Sequence, residues 1–299
     1  MNNFGSKLCS FPLIELVVIV FCSNLHHFLS TLKIMPYNLQ LLFGMFTIYT
    51  TFYWSTSLVC DSLDKNAGED FKKRHKINSE RKEPKLCEMF PTLVFNQVVQ
   101  FSFFTFLFAF FTPLVNLHYD IRRENVLNMF LSLLGYLLAY DIFFYFGHLA
   151  MHEWKGLYRS IHKLHHGTFA TTGASAHYMH FADFFLESIL PGAGLTSLLL
   201  LPSLKIIPGF VEFHGFSHCA FLSFNCVAAF HTVWTHSGWK FPFFPDPTPH
   251  FVHHHKQKYN LGSPAFYTLY LPFFLTSYNY PILQKSCFSS HLRQSREKC

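Results

Sequence analysis

Histidines at regular spacing in the middle of the sequence are the first residues whose arrangement suggests chemistry. His148 and His152 are four residues apart, and His165 and His166 follow His162 by three and four residues. On a helix, residues three or four apart project from one face. A neutral imidazole is a good ligand for first-row transition metals, so each set predicts a chelating site.

The same HxxHH spacing returns at His250, His253 and His254, with His236 before it. A run of chance surface histidines becomes a poor explanation once the pattern recurs. The candidate metal ligands are His148, His152, His162, His165, His166, His236, His250, His253 and His254. One ion uses about four to six ligands, so this number of imidazoles predicts two metal ions.

Iron is the preferred metal on the ligand types. Structural zinc sites usually include cysteine, and no cysteine falls within either histidine cluster. Nitrogen ligands with open positions suit Fe(II) that binds dioxygen. Two zinc ions in a membrane hydrolase are an alternative, but such an enzyme should carry a glutamate beside its ligands, as in HExxH, and His148-Leu-Ala-Met-His152 has none.

The combined motifs resemble those of a known family. They are DIFFYFGHLAMH at 141–152, LYRSIHKLHH at 157–166, HSG at 236–238, HFVHH at 250–254 and NLG at 260–262. Together they resemble the fatty acid hydroxylase/sterol desaturase superfamily, in particular its cholesterol 25-hydroxylase-like branch. The chain departs from the family pattern at Leu149, where Arg is common, and at Phe181, where the family has Pro in a His-Pro-x-Glu element.

The resemblance implies a multi-pass protein of the endoplasmic reticulum membrane with its histidine clusters on the cytosolic side. It implies a centre of two iron ions that uses O2 to hydroxylate or desaturate a sterol or another lipid. It also implies electrons from NAD(P)H through a separate carrier, either a b-type cytochrome or a reductase. The sequence agrees with an external carrier, because no G-x-G-x-x-G dinucleotide motif follows a predicted strand.

Three further residues are candidates for supporting the metal ligands. Asp141 lies seven residues before His148, two helical turns along the same face, and is predicted to accept the free N–H of a metal-bound imidazole. Asp183 is predicted to do the same for another ligand. His180 is either a ligand or a donor to one. His177, His231 and His255 are interpreted as polar residues near a hydrated cavity, with metal ligation by His177 or His231 left open.

Composition indicates a membrane protein. Half of the 299 residues are hydrophobic, 13% are charged, and Phe alone contributes 39 residues. A soluble protein of this length needs more charge on its surface, so much of this surface is expected to face lipid. The net charge of +6 is modest and no Lys/Arg-rich block suits phosphates, so nucleic acid is not an expected partner. The eight cysteines lie apart, as free thiols do.

Hydropathy divides the chain into segments, because about 20 apolar residues span a bilayer core. We predict an N-terminal segment with a short membrane anchor at 1–36, a membrane helix at 37–60, a polar cytosolic loop at 61–88, a transmembrane hairpin at 89–147, the first histidine cluster at 148–183, a membrane excursion at 184–235, and the second histidine cluster with the C-terminal tail at 236–299. The basic residues of 61–88 place that side in the cytosol.

The predicted fold class is all-α: a multi-pass membrane helix bundle with a cytosolic, histidine-rich cap that holds two metals. The predicted function is hydroxylation or desaturation of a sterol or related lipid by a membrane-bound di-iron oxygenase. A fatty acyl or sphingolipid hydroxylase and a sterol C4-methyl oxidase of the same superfamily are alternatives. From another class, a non-enzymatic, histidine-rich metal-handling membrane protein also fits the clusters.

Overall fold

The computed structural model describes residues 37–77, 83–111, 126–194, 218–257 and 260–262, and these residues are helical or lie in turns between helices. The main helices are α1 (Tyr37–Asn66), α2 (Glu69–His75), α3 (Leu86–Phe111), α4 (Val126–Glu153), α5 (His218–Thr235) and α6 (Thr248–Lys256). The one β-type contact among the described residues is an isolated bridge between Lys76 and Trp239. The all-α prediction is therefore confirmed for this part of the chain.

The helix α5 packs against both α1 and α4. The core between them is formed by large apolar side chains, among them Leu42, Phe104, Tyr136, Ile189 and Phe221. Burial of such side chains contributes about 1.5–3 kcal/mol each, so this packing holds the helix ends in place. His148 and His152 lie at the end of α4, and His236 follows the end of α5.

Two helices are long and apolar enough to cross a membrane. The stretches are Leu86–Leu107 in α3 and Met129–Glu153 in α4, with mean hydropathy of 1.3 and 1.7. Only 22% of each apolar window is buried inside the protein, and Phe95, Phe106 and Phe146 are exposed on these helices. Exposed apolar faces of this kind indicate association with a membrane. They coincide with the two arms of the predicted hairpin.

Other membrane predictions are not tested by these helices. The helix predicted at 37–60 forms as part of α1, but α1 is not among the helices that pass the test of length and hydropathy. The anchor predicted in 1–36, the residues 112–125 that join α3 to α4, much of the excursion at 184–235, and most of the C-terminal tail lie outside the described residues.

The polar segment 61–88 is not simply a loop, as its charge content suggested. Its first residues extend α1 to Asn66, and α2 follows at Glu69–His75. Within α2, Lys72 lies 3.2 Å from Glu69 and Lys73 lies 3.7 Å from Asp70. Side chains three residues apart are neighbours on a helix, and such opposite charges support it.

This segment is attached to the chain that follows α5. The backbone N–H of Ile77 donates to Gly238 O at 2.9 Å, and that of Lys240 donates to His75 O. The indole N–H of Trp239 donates to Asp64 at 2.9 Å. The region around His236 is thereby fixed from the N-terminal side of the protein.

The chain between α4 and α5 changes helix type several times. It runs through a π-helical turn at Tyr158–His162, two 3-10 turns at His165–Gly167 and Gly173–His177, an α-helical turn at Phe181–Phe184 and a second π-helical turn at Phe185–Ile189. Such departures from α-helical geometry often occur at functional sites, because they redirect side chains that regular spacing would align.

Candidate metal centre

The predicted metal ligands lie on three elements that come together in the structure. The last turns of α4 carry His148 and His152, whose Nε2 atoms lie 3.1 Å apart, as spacing by four residues on one face predicts. The turns after α4 carry His162, His165 and His166, all buried. The third element is α6 together with His236.

The turns at 158–167 differ from the single helix face expected for HxxHH. His162 ends the π-helical turn, and His165 begins the 3-10 turn. As a result His162 and His166 point to one group of imidazoles and His165 points to another. The prediction that these three histidines share one helix face is therefore wrong, because the chain is not α-helical there.

The helix α6 is started and ended by well-defined local interactions. Asp246 accepts from the backbone N–H of Thr248 at 3.0 Å, and Pro249 stands in the first turn, where its missing N–H costs no hydrogen bond. Gln257 ends the helix in the left-handed conformation, with φ of 61°. The helix thus fixes the directions in which its three buried histidines, His250, His253 and His254, project.

The structure gathers all nine predicted ligands into two groups. The five-histidine group contains His148, His152, His162, His166 and His253. The four-histidine group contains His165, His236, His250 and His254. Within each group, the candidate ligand atoms lie within 4.8 Å of one another. The adjacent pairs His165–His166 and His253–His254 are each divided between the two groups.

Hydrogen bonds fix the orientation of rings in the five-histidine group. Nδ1 of His148 donates to the carbonyl oxygen of Leu261 at 2.7 Å, and Nδ1 of His162 faces the carboxylate of Asp183 at 2.9 Å. A neutral ring with its proton on Nδ1 presents a bare lone pair at Nε2. Both Nε2 atoms lie close to Nε2 of His152, at 3.1 Å and 3.0 Å. A proton on Nε2 of His152 could form a hydrogen bond with only one of these two Nε2 atoms.

The four-histidine group repeats this arrangement. Nδ1 of His236 donates to Thr232 O at 2.7 Å, and Nδ1 of His254 donates to Thr168 O at 2.9 Å. Their Nε2 lone pairs both face Nε2 of His250, at 2.8 Å and 3.1 Å. Lone pairs this close repel one another unless a cation lies between them. The donor set therefore fits a metal ion in each group, and imidazole nitrogen is a suitable ligand for zinc, copper, iron and nickel.

Burial keeps these imidazoles uncharged. Removal from water lowers the pKa of His165, His166 and His254 well below the usual value, and the neighbouring imidazoles lower it further. Burial also lowers the pKa of His236 to about 4, although its bond to the Thr232 carbonyl opposes the shift. A neutral imidazole is the form that binds a metal, so the groups are ready to do so near neutral pH.

Two buried carboxylates adjoin the five-histidine group. Asp183 faces His162, as the predicted role of accepting an imidazole N–H requires. Burial raises the pKa of Asp183, whereas a cation held by His162 would favour the charged carboxylate. Glu187 was missed by the sequence analysis. Its Oε1 lies 3.5 Å from Nε2 of His148 and 3.6 Å from Nδ1 of His162. Its position four residues after Asp183, one helical turn on, is the signal that could have identified it.

The contacts of His148 and His180 bear on the supporting roles predicted for Asp141 and His180. The N–H of His148 is accepted by Leu261 rather than by Asp141, so a supporting role for Asp141 toward another imidazole stays a prediction. His180 belongs to neither histidine group. Its Nδ1 accepts from the backbone N–H of Ala182 at 3.2 Å, and it therefore caps the helical turn that carries Asp183.

The three remaining nearby histidines also lie outside both groups. His177 is buried, and its Nε2 lies 2.9 Å from the Tyr49 hydroxyl. His231 is buried at the wall of a cavity. His255 packs against Phe169, with ring centroids 5.7 Å apart. Their interpretation as polar residues near a cavity agrees with these positions for His177 and His231.

A cavity, called here the near chamber, adjoins both histidine groups. Its wall includes His148 from the five-histidine group and His165, His236 and His250 from the four-histidine group. The rest of the wall is mainly apolar, with Leu137, Phe144, Met179 and Val227 among its residues. A lipid chain in this cavity would lie against both groups at once.

A family model for fatty acid hydroxylases matches residues 133–269, the part of the chain that contains all nine predicted ligands. Fatty acid hydroxylase domain-containing protein 2 of Macaca fascicularis and of Homo sapiens is 27% identical over 228 residues, which cover 71% of this chain and 60% of each relative. A methylsterol monooxygenase of Aspergillus fumigatus is 26% identical over 172 residues, which cover 56% of this chain and 53% of that protein.

The chain thus spans about 60% of the length of the fatty acid hydroxylase domain-containing proteins it matches. No solved structure matches it. None of these relatives carries the name of a cholesterol 25-hydroxylase, so placement in that branch stays a prediction. The histidine motifs, the family model and these relatives agree, and together they support placing residues 133–269 of this chain in the fatty acid hydroxylase/sterol desaturase superfamily.

Proposed function

We propose that this protein is a membrane-bound di-iron oxygenase that hydroxylates a sterol or a related lipid with O2 and externally supplied electrons. The observation that carries the proposal is the convergence of two groups of buried, neutral imidazoles on one wall of a mainly apolar cavity. The name of the Aspergillus relative, a methylsterol monooxygenase, favours a sterol over a fatty acyl or sphingolipid substrate. Desaturation remains the alternative outcome of the same chemistry.

Two iron ions held by the nine histidines would supply the activation of O2 that insertion of oxygen into an unactivated C–H bond requires. The protein's own residues bind these ions and orient the imidazoles that hold them. The Leu261, Thr232 and Thr168 carbonyls hold imidazole protons on Nδ1, so that Nε2 lone pairs face inward. Orientation of this kind typically changes metal affinity by about 10–100-fold.

The near chamber has two tasks in this proposal. Its apolar wall, with Phe144 and Val227, binds the lipid and keeps water from the reacting carbon. Its histidine wall places a C–H bond beside both groups, as His148 and His165 line the same space. A rigid approach of this kind lowers the barrier by fixing the reacting atoms before the reaction begins.

The proposed setting is the endoplasmic reticulum membrane, with α3 and α4 in the bilayer and the histidines at its cytosolic side. Exposed Phe95 and Phe146 support contact of these helices with lipid. Electrons from NAD(P)H are proposed to arrive through a b-type cytochrome or a reductase that docks on the cytosolic side. The sequence lacks a dinucleotide motif of its own, which supports an external donor.

The proposal is tested on the full-length chain expressed in membranes and purified in detergent. Metal analysis should find about two irons per chain, and lipids extracted from cells grown under ¹⁸O2 should contain a product with one labelled oxygen that control cells lack. His165→Ala should abolish that product, while the exposed Ser102→Leu retains it as a matched control. Stoichiometric zinc without iron would sink the oxygenase proposal. Iron without any oxidised lipid would favour the metal-handling alternative.

A further inference from the structure

A second space, called here the far chamber, borders the near chamber. The two chambers share wall residues Tyr140, Ser188, Phe224, Ala228 and Thr232. Among the described residues that line the far chamber, none belongs to either histidine group. A molecule long enough to occupy both chambers would have one part at the histidines and another part away from them.

The far chamber is apolar on most sides but contains two buried polar atoms without partners. Phe46, Phe101 and Phe221 supply much of its apolar wall. The side-chain oxygen of Gln100 is buried and makes no hydrogen bond, and the same is true of Nδ1 of His177. Leaving such a buried atom unpaired is unfavourable relative to hydrogen-bonding it. A ligand with a hydrogen-bonding group in this cavity would satisfy both.

The His177 ring is held in place from several directions. Its Nε2 lies 2.9 Å from the Tyr49 hydroxyl, and its ring stacks on Tyr53 with centroids 4.4 Å apart. The side-chain amide of Asn96 donates to the carbonyl oxygens of His177 and Met179, both at 3.1 Å. When the Tyr49 hydroxyl donates to Nε2, the ring proton lies on Nδ1, and Nδ1 is then a fixed donor.

With this tautomer, the pair offers an acceptor at Gln100 and a donor at His177. A hydroxyl group can donate to the first and accept from the second. Burial lowers the pKa of His177 to about 3, so its ring is neutral at physiological pH. Among the described residues that line the far chamber, none is Lys or Arg. A carboxylate or phosphate would lose its hydration there without gaining a counter-charge.

We propose that the far chamber binds the neutral hydroxyl group of an amphiphilic lipid between Gln100 and His177, and so selects hydroxylated lipids over free fatty acids and phospholipids. The proposal rests on the proposed function in one respect, because the lipid is taken to be the substrate whose other end reaches the histidines. By holding the hydroxyl, the far chamber sets the distance along the molecule at which a carbon meets the metal centre.

The test measures binding without turnover, on purified full-length protein kept free of reductant. Two pairs of probes separate the two sources of a neutral hydroxyl: cholesterol against cholest-5-ene, which lacks the hydroxyl, and hexadecan-1-ol against hexadecane. Hexadecanoate is the charged probe. In at least one pair, the hydroxyl compound should bind about tenfold more tightly, the effect of about one good hydrogen bond. Hexadecanoate should bind more weakly than hexadecan-1-ol.

Two variants probe the two sides of the hydroxyl. Gln100→Met keeps the length of the side chain but removes the acceptor, and His177→Phe keeps a ring against Tyr53 but removes the donor. Each should reduce the hydroxyl preference to about twofold or less, with affinity for the hydroxyl-free probe unchanged. Ser102→Leu, on the exposed side of the same helix as Gln100, should keep the full preference. Iron content and thermal unfolding establish that each variant is folded.

The outcomes separate this proposal from the proposed function. Absence of a hydroxyl preference in the wild-type protein would overturn the far-chamber proposal, as would a preference that survives both variants or tighter binding of hexadecanoate. If the hydroxyl preference depends on Gln100 and His177 but no lipid is oxidised under O2 and reductant, the far-chamber site stands and the oxygenase proposal fails. If lipid is oxidised but no such preference is found, the oxygenase proposal stands and the far-chamber proposal fails.

Discussion

Both carboxylate oxygens of Asp183 lie within hydrogen-bond distance of Nδ1 of His162, at 2.9 Å and 3.0 Å. We expect Asp183→Ala to weaken iron binding in the five-histidine group about 10–100-fold, because the His162 ring loses the acceptor that orients it. Asp183→Asn should be milder, since the amide oxygen can still accept. Competition with a chelator measures the affinity. Asp70→Ala, on an exposed side chain, is the control, and equal affinity in Asp183→Ala would contradict the assigned role.

Neighbouring residues in the sequence should affect different metal sites. His166→Ala removes a member of the five-histidine group, and His165→Ala removes a member of the four-histidine group. Each variant should bind about one iron fewer per chain, and the double variant should bind little iron at all. His180→Ala should keep the wild-type iron content, because His180 caps a helical turn and belongs to neither group. Iron analysis after gel filtration decides; loss of iron in His180→Ala alone would contradict the grouping.

Glu83 should stabilise the four-histidine group from outside the family-matched region. Its Oε1 accepts from the backbone N–H of Phe169 and the hydroxyl of Thr171, both at 2.8 Å, and Thr168 in the same loop accepts from His254. We expect Glu83→Ala to lower the free energy of unfolding by about 1–3 kcal/mol and to weaken iron binding.

Glu83→Gln provides the matched test of that role, because an amide oxygen can accept both hydrogen bonds. It should restore most of the stability and iron affinity. The exposed Glu69→Ala serves as the neutral control. Thermal unfolding measures the stability and chelator competition measures the iron affinity. A Glu83→Ala protein that is as stable as the wild type and binds iron as tightly would contradict this role of Glu83.

Stability of the metal-free protein should fall in mild acid. Burial lowers the pKa of His236 from 6.5 to about 4, so between these pH values the unfolded chain takes up a proton that the folded chain does not. Stability is therefore highest above about pH 6.5 and declines as the pH falls toward 4, by up to about 3 kcal/mol for this residue.

Thermal unfolding of chelator-treated protein at pH 7.5, 6.5 and 5.5 measures this dependence. His236→Gln should unfold with a weaker dependence on pH, since it removes one of the groups that titrate only after unfolding. The other buried histidines, including His165, contribute in the same direction, so some dependence should remain. A melting temperature that stays constant over this range would contradict the assignment of buried, neutral rings.

The sequence was sufficient to find the nine candidate ligands, because HxxxH and HxxHH spacings depend only on local geometry. It could not divide them into two groups. That division depends on the π-helical turn ending at His162 and the 3-10 turn beginning at His165, and such changes of helix type have no reliable sequence signal. For the same reason the carbonyl of Leu261, which is distant in sequence, could not be foreseen as the partner of His148.

Long apolar runs predicted α3 and α4 correctly, since hydropathy over about 20 residues is a strong signal. The helix α2 was missed because the many charges of that segment indicated a loop, although its Glu69–Lys72 and Asp70–Lys73 pairs have helical spacing. The far chamber could not be predicted at all. Gln100 and His177 are far apart in the sequence and line the same cavity only because α3 packs against the turn at Gly173–His177.

The division of His165–His166 and His253–His254 between the two groups has a mechanical consequence. Consecutive Cα atoms are held about 3.8 Å apart, so each dipeptide is a link of fixed length between the two groups. Because two such links come from different parts of the chain, the histidines of one group cannot move apart without displacing those of the other. Release or exchange of a metal in one group should therefore disturb the geometry of the other group, so the metal affinity of each group should depend on whether the other is filled.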